Sequence, residues 1–113
     1  MNYSFRIEDD VVIVKIEEKR ATVEFSSDLK KDLIAKIEEG KKNVIIDLSD
    51  AIFVDSSFLG TLVAGLKKTT INNGDLKIVG LQDPVRSMFE LTRLYKIFDI
   101  FDDVKTADRK SVV

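Results

Sequence analysis

Residues 43–79 read NVIIDLSDAIFVDSSFLGTLVAGLKKTTINNGDLKIV, and this stretch decides the fold class. It opens on Asn43-Val44-Ile45-Ile46-Asp47-Leu48, which is short, apolar and β-branched, as a buried central strand is. From about Ser56 to Ile71 the period changes. Phe58, Leu59, Leu62, Val63 and Leu66 recur at the 3.6-residue spacing of one helical face. Asn72-Asn73-Gly74 ends that helix, and Leu76 to Val79 makes the next strand. A strand, a helix and a strand in succession imply a parallel pair joined by a right-handed crossover.

The same alternation extends outward. Tyr3 to Ile7 alternates like a half-buried strand, Glu8-Asp9-Asp10 is a polar turn, and Val11 to Ile16 is a second, β-branched strand, so the chain opens on a hairpin. Glu17 to Phe25 reads as a charged connection, with Ser26 or Ser27 as the cap of a helix whose apolar face is Leu29, Leu33, Ile34 and Ile37. Gly40 marks its stop. Pro84 suits the first turn of a third helix through Val85, Met88, Phe89 and Leu91. Ile97 to Phe101 is apolar enough for a last short strand, and Asp102 to Val113 carries the weak pattern of a terminal helix. The order β-β-α-β-α-β-α-β-(α) predicts one α/β domain over residues 1–113. It is a mixed sheet of four to five strands with helices packed mainly on one side.

Composition narrows the chemistry. With 113 residues, 44% of them apolar and 34% charged, the chain is long enough for a real core and is not of disordered type. It has no Cys and no His, so a thiolate nucleophile, a disulfide, a Ser–His–Asp triad and the commonest metal ligand are all excluded. Asp9-Asp10 and Asp102-Asp103 read as solvated turns, and no metal or cofactor is expected. The 18 Lys and Arg against 20 Asp and Glu do not suggest a nucleic-acid binder. No apolar run is long enough to span a bilayer, and MNYSFRIEDD lacks the features of a signal peptide, so a cytoplasmic protein is expected. No pair of carboxylates or lysines has a spacing that points to acid–base catalysis, and an interaction module is the better reading than an enzyme.

The segment that carries chemistry is Phe53-Val54-Asp55-Ser56-Ser57-Phe58-Leu59-Gly60, at a strand-to-helix junction. The first N–H groups of a helix lack partners and attract anions; two hydroxyls and a carboxylate lie beside them. Capping alone also accounts for an Asp-Ser-Ser sequence before an apolar helical run. Phe58 is open to two readings, a contact for a partner or packing against the sheet.

Taken together, NVIIDLSD, then FVDSSFLGTLVAGLKK, INNGDLKIVGL and DPVRSMFELTRLYKIFDI resemble the STAS-domain family, and within it the bacterial anti-sigma factor antagonists. The sharpest element is the Asp-Ser-(Ser/Thr)-Gly-Leu-Gly signature, seen here as Asp55 to Gly60 with Phe58 in place of Gly. Leu91 to Phe98 matches the family's tail. The resemblance implies that Ser56 is phosphorylated by an anti-sigma factor that is also an ATP-dependent serine kinase. The unmodified protein binds that kinase and frees a sigma factor; a serine phosphatase restores the binding form. It implies partner contacts at Asp55, Ser56, Ser57, Phe58 and Gly60. The family's loop after the second strand commonly carries Gly and Asp, whereas Glu17 to Thr22 has neither and brings Lys19 and Arg20 instead. The alternative within the same fold is an adaptor that is never phosphorylated, working in a regulatory or transport assembly.

Overall fold

A computed structural model describes residues 2–111. Strands β1 (Tyr3–Glu8) and β2 (Val11–Ile16) form the opening hairpin, with Asp9 of the turn in the left-handed region at φ 54°. Next come a two-residue strand β3 (Arg20–Ala21) and helix α1 (Val23–Glu38). Strand β4 (Asn43–Asp47), the short β5 (Phe53–Val54) and helix α2 (Ser56–Ile71) follow, then β6 (Asp75–Val79) and α3 (Asp83–Leu91). A 3-10 turn (Leu94–Lys96), β7 (Asp99–Phe101) and α4 (Val104–Ser111) complete the described chain.

The main sheet has the order β1-β2-β4-β6-β7. Only β1 runs antiparallel to its neighbour; the β2–β4, β4–β6 and β6–β7 pairs are parallel. This is the mixed five-stranded sheet that the alternating pattern predicts. Because side chains alternate across a strand, each central strand serves two cores. Val12, Val14, Ile16, Val44, Ile46, Leu76 and Ile78 face α1, α2 and α3, whose Leu29, Leu33, Phe58, Leu62, Val85 and Phe89 fill the main core. Val11, Ile13, Ile45 and Val79 face the other way and are covered by Ala107 of α4 with Phe101 and Val104. Three helices therefore lie on one face and one on the other. Gly65 brings α2 close to the sheet and α1: a Cβ there would sit 2.8 Å from Leu33 Cδ2 and 2.9 Å from Leu76 Cδ1. Tyr3 ties β1 to α1 by donating its hydroxyl to Asp32 Oδ2 at 2.6 Å; burial first, and that carboxylate second, push the phenol well above its ordinary pKa.

Three expectations are corrected. Helix α1 starts at Val23 with Thr22 as its cap residue, so neither Ser26 nor Ser27 caps it; both lie inside the helix. The connection Glu17 to Phe25 is not all loop, because it contains β3 and the first turn of α1. The last strand begins at Asp99, not Ile97: the 3-10 turn takes the residues before it and leaves Phe98 packed edge-on to Phe89, with ring centroids 6.0 Å apart. Of the expected terminal helix, residues 112 and 113 lie outside the described residues.

Candidate functional site

The site is built at the joint between the main sheet and a small second one. After β4 the chain turns at Ser49 and Asp50 and then forms β5, which pairs in parallel with β3, Arg20 opposite Phe53 and Ala21 opposite Val54. Asp55 N–H extends the pairing to Ala21 O at 3.1 Å. The start of α2 is thereby pinned against the start of α1.

Asp55 is the cap residue of α2, with extended backbone, and its carboxylate works on two helices at once. Oδ1 accepts from Phe58 N at 2.9 Å, the usual N-cap bond. Oδ2 accepts from Val23 N, the first residue of α1, at 2.8 Å. Two helix N-termini, each with partial positive charge, thus converge on one carboxylate. This explains why α1 needs no cap from its own serines: Thr22 makes no side-chain cap bond, and a residue far along the chain supplies one. Thr61 reinforces the joint, its hydroxyl lying 3.2 Å from both Ser26 O on α1 and Ser57 O on α2.

Ser56 is the first residue of α2, and it and Ser57 are exposed. Their N–H groups have no partner among the described residues, as expected for a helix N-terminus. Gly60 is exposed, and a Cβ there would meet nothing within 4 Å, so the fold does not demand glycine at this position. Phe58 is different. Its side chain is 0% exposed and packs against Phe25 of α1 with ring centroids 6.2 Å apart. Of its two readings the packing one holds, and the expected partner contact at Phe58 is corrected for its side chain. The ring stands in the core beneath the serines and leaves their approach open.

The exposed apolar groups at this end come from Val23, which the sequence does not single out, and Phe53, which opens the segment read as carrying chemistry but has no role of its own in that reading. Val23 is 63% exposed and Phe53 39%. Both line a groove of about 870 Å³ with Lys19, Arg20, Glu24 and Asp55. Nothing in the pattern of residues separates such exposed apolar groups from core ones; their position became visible only with β3 and β5 in place. Among the described residues no cluster of three or more potential metal ligands occurs, and no helix is long and apolar enough to cross a membrane.

The comparisons agree with this architecture. The profile of the STAS domain matches residues 2–107. A Thermotoga maritima protein assigned as an anti-sigma factor antagonist is 29% identical over 106 residues, 93% of each chain. A crystal structure of a Thermotoga maritima protein likewise assigned as an anti-sigma factor antagonist superposes with a TM-score of 0.90 at 26% identity, covering 98% of this chain and 95% of that one. SpoIIAA, a Bacillus cell fate determinant solved in its phosphorylated form, shares the fold, with a TM-score of 0.76 at 14% identity over 95% of this chain and 97% of its own. With the sheet order, the Asp55 to Gly60 signature at the start of α2 and a profile match over almost the whole length, the chain belongs to the STAS-domain family.

Proposed function

We propose that this chain is an anti-sigma factor antagonist whose binding is switched by phosphorylation of Ser56. Unmodified, it binds an anti-sigma factor that is also a serine kinase and so releases a sigma factor; phosphate on Ser56 ends that binding, and a serine phosphatase reverses it. The chain is then the substrate and the switch, not the catalyst. The observation that carries this reading is Ser56 itself: an exposed hydroxyl at the first position of α2, beside a carboxylate whose two oxygens are both engaged by backbone N–H groups. The names of the relatives support the role, and the phosphorylated form of SpoIIAA supports phosphate chemistry on this fold.

The energetics favour a switch of surface rather than of fold. A phosphate adds about −1.5 to −2 charges at pH 7. The helix N-terminus favours it by about 0.3–1 kcal/mol at an exposed site, and the neighbouring Asp55 opposes it. These internal terms nearly cancel. A docked partner meets the full new charge with its desolvation cost, so a local event ends binding without refolding. Calorimetry against the serine kinase encoded in the same genome tests this. The wild-type chain binds and Ser56→Glu does not, with the circular dichroism of the two alike. Equal affinity for the two, with the fold intact, overturns the switch.

A further inference from the structure

The groove that ends at Asp55, one residue before Ser56, holds a cation with no ion-pair partner among the described residues. Arg20 lies with its guanidinium carbon 4.3 Å from the centre of the Phe53 ring. It makes no ion pair among the described residues, although Glu17, Glu18, Glu24 and Asp55 line the same groove. Two of those carboxylates are engaged elsewhere: Glu18 accepts from the Asn2 amide at 2.8 Å, and Asp55 caps two helices. A guanidinium held over an aromatic ring by cation–π attraction still has N–H donors to offer, and their fork matches a carboxylate. Beside it stand the exposed side chains of Phe53 and Val23. Arg and aromatic residues flanked by apolar contacts are the composition of interface hot spots.

We propose that Arg20 and Phe53 form the anchor by which this chain selects its partner. The partner segment sets an apolar side chain between Val23 and Phe53 and one carboxylate on the Arg20 guanidinium. This rests on the reading of Ser56 given above, and the occupant is the serine kinase. The anchor adjoins the acceptor through the Arg20–Phe53 and Ala21–Val54 pairs and the Asp55 N–H bond to Ala21 O, so a kinase seated on Ser56 covers it. Glu17 and Glu24 at the groove disfavour a segment that is acidic throughout, which limits the match to a single carboxylate aimed at Arg20.

The test is calorimetry of the unmodified chain against the serine kinase that phosphorylates Ser56, using Arg20→Glu and Phe53→Ser. Each weakens binding by about tenfold or more. Arg6→Glu, on exposed β1 away from the groove, stays within about twofold of wild type. Arg20→Glu removes no buried packing, so it remains informative if Phe53→Ser fails to fold. If Ser56 is phosphorylated and both folded variants, or Arg20→Glu alone, bind within about twofold of wild type, the anchor is wrong and the switch stands. If no serine kinase of the genome binds the chain or phosphorylates Ser56, the switch fails and takes the anchor with it.

Discussion

The pairs Ser26-Ser27 and Ser56-Ser57 carry the same two residues, and each stands where a helix start is expected. Their fates differ. Ser26 is buried in α1 and donates its hydroxyl to Thr22 O at 2.6 Å, one helical turn back. Ser56 and Ser57 are exposed at the start of α2 with free N–H groups beside them. What separates the pairs is the residue before them. Asp55 caps α2 from its own chain position and caps α1 from across the joint, so α1 begins earlier and takes its serines inside. A dipeptide is a site only where the third dimension leaves it at a helix end.

The contrast can be broken at several points. The largest effect is expected at Phe58, whose ring packs between the two helix starts. Phe58→Ala destabilises the fold by about 3–5 kcal/mol, measured by denaturant unfolding, as other buried aromatic truncations do. A loss below about 1 kcal/mol would mean that the ring is not part of the core. Next comes Asp55. Asp55→Ala leaves two capping bonds unmade and costs about 2 kcal/mol, while Asp55→Asn, with one remaining carbonyl acceptor, costs about half of that. Amide exchange at Val23 and Phe58 speeds up together in the alanine variant; acceleration at Phe58 alone would break the claim that one carboxylate holds both helices. The smallest effect is at Ser26. Ser26→Ala gives up a bond to a carbonyl that also accepts from Ser26 N–H and gains helix propensity, so stability changes by no more than about 0.5 kcal/mol and binding of the kinase not at all.

Much of this was legible in the residues. The β-branched runs of β2 and β4, the 3.6-residue spacing of α2 and the Pro84 start of α3 follow from local periodicity and turn chemistry, and the observed elements keep to them. Asp55 stands out for the same reason, since capping is a local signal, whereas Ser56 is picked out as the acceptor by the resemblance to the family. What local pattern could not show is long-range. The start of α1 depends on a carboxylate 32 positions away, and β3 and β5 are two-residue strands that exist only because they pair with each other. Phe58 had two readings because a helical apolar residue near a signature fits core and surface alike until the neighbouring Phe25 is in place. Val23, inside a stretch that reads as a charged connection, and Phe53 are brought to one groove only by the geometry of the joint.

The central claim is that Ser56, and not its neighbour or the Ser26-Ser27 pair inside α1, is the residue that takes phosphate. The most direct measurement is phosphate incorporation, mapped by mass spectrometry, after the wild type, Ser56→Ala and Ser57→Ala are each incubated with the genome's anti-sigma serine kinase and ATP. The account predicts one phosphate on Ser56 in the wild type and in Ser57→Ala, and none in Ser56→Ala. Phosphate in Ser56→Ala with none in Ser57→Ala would move the acceptor to Ser57. A wild-type chain that takes no phosphate from that kinase would contradict the switch and leave a STAS adaptor that works without modification.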